Sequence, residues 1–310
     1  MSLQQIGYVD LPAHIKQGGF DHAAVHTRLN RLYVAHTAND SLDVIDCAED
    51  RYLHSISGLA AVAGALVSEG DNLVFTSNRA ENTVGIFSPE DDGHVAKIPV
   101  GVRPNGLSYD PASRLLLAAH VGDPNISGST TVSLIHVAEM RIIAAIPVPG
   151  RTRWTVFDAA SNAFYVNIAD PAQIIVVSAK APSEIARTFS VPAGGPHGMD
   201  IDAASNRLFC ACDSARLVTL DLKSGNVLTI ADISGTPDVI FFNPTAQHLY
   251  VAVGDPGVID VFDTRTMTRI ATIPTERGAH TLAFDAKQQK VYAFLPETHR
   301  AAVYVDRTPV

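Results

Sequence analysis

Apolar and polar positions along the 310-residue chain alternate in short runs, each closed by Asn, Asp, Gly or Pro. Nothing sustains a 3.6-residue period, so the pattern predicts strands and no helices. Residues 20–57 hold four such runs, Asp21–Val25, Arg31–His36, Ser41–Cys47 and Tyr52–Ser57, with turn formers between them. The same four-beat unit returns as Val62–Val67, Leu73–Ser77, Thr83–Phe87 and Val95–Val100. A third unit runs from Asn105 to about Val148 and carries a long surface loop, Val121–Thr130. Units four, five and six start near Arg153, His197 and Asp238.

The units are self-similar in detail. Gly195-Pro-His-Gly-Met-Asp-Ile-Asp-Ala-Ala-Ser-Asn-Arg-Leu-Phe209 has counterparts beginning at Arg103, Thr236 and Gly278. A period of roughly 40–50 residues marks a propeller, a solenoid or a tandem array. The seventh unit, from His280, offers only Thr281–Phe284, Lys290–Leu295 and Ala301–Val305. An orphan strand at the other end, Ile6–Leu11, has the character of the fourth strands Ala96–Val100 and Ile270–Ile273. Letting it complete the last unit accounts for both ends. The expectation is one all-β domain over residues 1–310: a seven-bladed β-propeller of four antiparallel strands per blade, closed by the N-terminal strand.

Composition narrows the partners. With a net charge of −9 and no Lys/Arg stripe, counterion release has little to work with, so nucleic acid is not expected. No run approaches the roughly 20 apolar residues that span a bilayer, and no membrane partner is expected. Residues 1–20 lack a basic segment followed by an apolar core, which points to the cytoplasm, or to the periplasm had a signal been removed. Three cysteines make no disulfide framework. Cys210 and Cys212 share one strand face, and all three read as buried reduced thiols.

The second strands Leu32-Tyr-Val-Ala, Phe164-Tyr-Val-Asn and Leu249-Tyr-Val-Ala resemble the signature of YVTN-type β-propeller repeats. Third strands such as Val258-Ile-Asp-Val-Phe-Asp-Thr and the segment Ile98-Pro-Val-Gly resemble it too, so the likeness covers essentially the whole chain. The Gly-His…Trp-Asp signature of WD40 repeats is absent. Such a resemblance implies the fold and leaves function to the site.

In a propeller, the first strand of each blade lines the channel and starts at the face where ligands generally bind. Aligning the units on the Asp of Ile201-Asp-Ala-Ala-Ser205 and stepping back five positions gives a ring: Asp21, Ala63, Asn105, Arg153, His197, Asp238 and His280. His22 adjoins Asp21, and Trp154 adjoins Arg153. His197, Asp238, His280, Asp21 and His22 form an arc suited to a divalent metal (Zn, Mn or Ca), which would acidify a water or polarise a carbonyl. Without metal, His197 or His280 would act as general base, its pKa raised by Asp238. Arg153 would clamp an anionic group. Asn105 and Trp154 complete the substrate contacts expected from the ring. Second-strand ends give an outer ring, His36, Asn78, His120, Asn167, Asp213, Glu297 and His299, of which His36 and His120 are expected to select substrate. The Asp repeated at 110, 158, 202 and 285 belongs to turns at the far face.

Gly-x-Ser-x-Gly, Gly-Lys-Ser/Thr and His-Glu-x-x-His signatures are all absent. Lactonase and streptogramin-lyase propellers look similar in outline. The lyases place a catalytic His in a Pro-His-Gly context, as at Pro196-His197-Gly198; their second His falls one blade on, where this chain has Asp238, and the next His here is His280. Six-bladed lactonases hold calcium through Glu, Asp and Asn, a set this ring matches in part. The expected function is a small-molecule hydrolase or lyase at the top-face funnel, catalysed by His197, Asp238 and His280. The alternative is a propeller that binds a ligand, a metal or a protein partner without turnover.

Overall fold

The computed structural model describes residues 3–91 and 93–307. Its strands form seven four-stranded antiparallel sheets, six of them running inner to outer in chain order. The inner strands are Phe20–His26, Val62–Ser68, Pro104–Asp110, Thr152–Asp158, Pro196–Asp202, Thr236–Asn243 and Leu282–Asp285. Among the described residues the only helical turns are two short 3-10 segments, Thr37–Asn39 and Val137–Glu139. The seventh blade takes its outermost strand, Leu3–Asp10, from the N-terminus, paired antiparallel with Arg300–Asp306 from Leu3↔Asp306 to Asp10↔Arg300. The closing strand expected at Ile6–Leu11 is therefore present and longer than the pattern suggested, while Leu11 itself only donates its N–H to the His299 carbonyl.

The core does not lie inside any blade. Seven apolar clusters each join one blade to the next, as where Tyr165 and Val176 of blade four meet Met199, Leu208 and Cys210 of blade five. A blade is apolar on both faces because each face meets a neighbour, and a propeller is stable only when the ring is complete. Tyrosines of the second strands have a second task. Tyr165 donates to the Leu222 carbonyl, Tyr250 to Asp306 and Tyr292 to Asp50, each reaching the following blade. These hydroxyls satisfy a buried donor while stapling adjacent sheets.

The far-face turns behave as the sequence indicates. Asp158 accepts the N–H groups of Ala160 and Ser161, and Asp285 those of Lys287 and Gln288. The thiols of Cys47, Cys210 and Cys212 are fully buried. The last two lie 3.8 Å apart, unbonded, on one face.

Candidate functional site

Ring side chains reach the axis because the inner strands break register there. The pairing of inner with second strand slips between Phe20 and Ala23, Val62 and Gly64, Pro104 and Leu107, Thr152 and Thr155, Pro196 and Gly198, and Pro237 and Ile240. Each slip spans a ring residue and lifts it out of the ladder, the way bulges re-aim side chains. In blades two, three and five the next inner strand comes so close that the position just after the ring residue must be glycine. A Cβ on Gly198 would stand 2.1 Å from the Asp238 carbonyl oxygen, and one on Gly106 2.5 Å from that of Arg153. The glycine of Pro196-His197-Gly198 thus has an architectural cause.

His197, Asp238 and His280 come together as expected. His197 Nδ1 lies 2.7 Å from Asp213 Oδ1, and its Nε2 3.1 Å from Asp238 Oδ1. The other oxygen of Asp238 lies 2.8 Å from His280 Nδ1. The result is a continuous chain, Asp213–His197–Asp238–His280. Buried Asn167 supports it by donating to the His197 carbonyl at 2.8 Å. Arg153 Nη2 reaches Asp213 Oδ2 at 3.3 Å, and its Nη1 is 3.1 Å from His197 Nε2.

A neutral His197 could accept from Arg153, but two carboxylates, one on each ring nitrogen, favour the imidazolium. Burial alone would lower its pKa. The charge of Asp238 and the hydrogen bonds to Asp213 and Asp238 outweigh burial and lift it to about 9. Burial likewise opposes a charged Asp238, yet the charge of His197 and the bonds from His197 and His280 carry its pKa well below the usual range. Burial lowers and the Asp238 bond and charge raise His280, with a net upward shift. His197 is therefore a fixed positive charge at neutral pH and a poor base. His280, its side chain 38% exposed and its Nε2 turned from Asp238, is the group able to exchange a proton with a bound molecule.

The rest of the arc is organised by arginine. Arg79 Nη2 pairs with Asp21 Oδ2 at 3.1 Å and donates a short bond to Asn105 Oδ1. His22, 3.3 Å from Asp21, is buried, and burial holds it neutral by lowering its pKa. Arg151, two residues before Arg153, has no ion-pair partner among the described residues. Burial and then the like charges of Arg153, Arg79 and Arg103 depress its pKa. Arg103 and Arg151 also line a cavity of about 530 Å³ beneath the long loop 121–130. Arg79 and Arg151 are the residues that column reading misses. Arg79 sits one place after Asn78 and Arg151 two before Arg153, as Arg103 sits two before Asn105, so all three adjoin the inner-ring and outer-ring columns without belonging to them.

Other expected site residues lie elsewhere. His36 and His120 are wholly buried and cannot meet a substrate at the surface. His36 Nδ1 bonds Asp43 at 2.7 Å, and its ring packs on His14 and Phe20. His120 Nδ1 bonds Thr131 at 2.7 Å, and burial drops its pKa to about 4. Trp154 faces the channel, its ring centroid 4.2 Å from that of His22. Among the described residues no group of three or more His, Cys, Asp and Glu is disposed to hold a metal. Of the five expected ligands, His197 has both nitrogens on carboxylates, Asp238 both oxygens on histidines, His280 its Nδ1 on Asp238, His22 its Nε2 on Asp21, and Asp21 also pairs with Arg79.

The fold and the ring define a seven-bladed β-propeller with a charged top-face funnel. Among curated proteins, the uncharacterized protein YncE of Salmonella typhimurium (strain LT2) is 22% identical over 197 residues, 62% of this chain and 54% of that protein. YncE of Salmonella typhi is 21% identical over the same shares. The matched region spans about half the length of these relatives. Among solved structures, Kuenenia stuttgartiensis hydrazine synthase superposes with a TM-score of 0.82 at 11% identity, covering 96% of this chain and 99% of that chain. A chain of the mitotic checkpoint complex gives 0.82 at 12%, covering 97% and 91%. At such identities these likenesses speak for the fold alone. No protein-family profile matches the chain. No described helix is long and apolar enough to cross a membrane.

Proposed function

We propose that the protein is a small-molecule hydrolase or lyase whose substrate carries an anionic group such as a carboxylate. The observation that carries this reading is a positive island in an acidic protein. Arg79, Arg153 and the His197 imidazolium pair with Asp21, Asp213 and Asp238, and Arg103 and Arg151 add like charge beside them, on a chain of net charge −9. Such a concentration of cations attracts an anion and holds it in register. Arg151, short of a partner and crowded by like charges, gains most from one. Arg153 would share the anion, and His197 would supply fixed charge to stabilise negative charge developing on the substrate. His280, backed by Asp238 through Nδ1, would take or return a proton at Nε2. No step of this reading runs through a metal, because both nitrogens of His197 and both oxygens of Asp238 already lie against protein partners.

Turnover of a panel of carboxylate-bearing lactones and esters tests the reading. For any compound turned over, His280→Gln should lower kcat at least about 100-fold with KM little changed, as expected for loss of a general acid–base group. Arg151→Ala should raise KM at least about tenfold, a loss on the order of 1.4 kcal/mol. Anion binding with no turnover across the panel would make the protein a binding propeller instead.

A further inference from the structure

Beyond the ring residues, the channel holds a cavity of about 390 Å³. Its walls come from the later halves of the inner strands and are mainly apolar, with Leu66, Val156, Trp154, Phe241 and Phe284 among them. His22 and Trp154, ring against ring, lie between it and the charged ring above. One carboxylate stands in this wall. Asp200 Oδ1 accepts the Ile201 N–H at 2.8 Å, and Oδ2 the Phe242 N–H at 2.7 Å. No cation among the described residues pairs with it. The other titratable wall groups, His22 and Tyr109, are held neutral by burial, which lowers the first and raises the second.

A carboxylate among apolar walls is costly unless a counter-charge joins it, and this one has only two backbone donors. Burial outweighs those bonds and raises its pKa to about 6, so at neutral pH it is mostly ionised and lacks a counterion. The cavity falls within the range of small-molecule sites, and its aromatic surfaces favour a cation over a neutral guest.

We propose that the lower channel is a second ligand site, distinct from the funnel, for a small amine: an ammonium seated on Asp200 with an aryl or alkyl body against Trp154, Phe241 and Phe284. It neither uses nor requires the top-face chemistry. Aligned three residues past the ring positions, the seven strands read Ala24, Leu66, Ser108, Val156, Asp200, Phe241 and Ala283, so the carboxylate is confined to blade five in that series.

Trp154 is the chain's sole tryptophan and reports the site directly. Its emission should change saturably on titration with phenethylammonium. Binding should be at least tenfold tighter than that of 2-phenylethanol, with phenylacetate weakest. Asp200→Asn should bring the amine down to the alcohol, and Ala24→Phe, which puts a benzyl group into the cavity from the wall of blade one, should weaken both at least tenfold. Equal titration of amine and alcohol, no saturable change, or amine binding undiminished by either substitution would overturn the proposal. Should Asp200→Asn fail to fold, the ranking of the three probes in the wild type, together with Ala24→Phe, still decides it.

Discussion

The residue on which the site turns is His197, because its two carboxylate partners decide what it can do. A group with a folded pKa of about 9 against about 6.5 unfolded binds its proton more tightly in the native state. The sign follows from linkage: its stabilising contribution is complete below pH 6.5 and is lost as pH rises through 9. With the side chain only 14% exposed, that contribution is on the order of 3 kcal/mol. Urea unfolding at pH 6.5 and 9.5 should show a drop of that order in the wild type and a much flatter dependence in His197→Gln. A wild-type stability that stays level across this window would mean that His197 is neutral at pH 7. Gly198 is the other decisive residue. Gly198→Ala should destabilise by about 2–3 kcal/mol, since the Asp238 carbonyl that blocks its Cβ is backbone and cannot step aside.

At the scale of the strand, the sequence pattern carried most of what the structure holds. Period-2 runs and turn residues located the inner strands, and stepping back from a turn Asp found Asp21, Arg153, His197, Asp238 and His280 because each blade repeats one backbone path. Second-strand ends led to Asp213 by the same logic, though without indicating that it pairs with His197. The same column misjudged His36 and His120, for position along a strand says nothing of the loops that bury its end. Asp200 was equally readable in the alignment three residues further on, but its meaning depends on the absence of a cation around it, a property of the assembled channel. Strand closure is testable at this scale. Deleting residues 1–12 removes the partner of Arg300–Asp306 and exposes that edge, so the truncated protein should aggregate and lose its sharp melting transition. A monomeric truncation with unchanged melting temperature would refute closure by the N-terminus.

Across the whole molecule, seven sheets wedge one against another and hold their inner-strand starts in a rigid ring, which suits groups that must be placed to a fraction of an ångström. The charge distribution differs along the axis. The top face concentrates guanidinium and imidazolium groups on an acidic body, while the lower channel holds one carboxylate in an apolar wall. On the proposed reading the local field of the arginine cluster, not the acidic body, draws the anion, and screening by salt should weaken that attraction. The central claim is that the top-face ring is an anion site, and calorimetric titration of small carboxylates against their neutral amides, at low and high salt, tests it most directly. The account predicts that carboxylates bind, amides do not, affinity falls as salt rises, and Arg151→Ala and Arg153→Ala each weaken binding at least about tenfold. Carboxylates that bind no better than their amides, or equally well to both arginine variants, would contradict it.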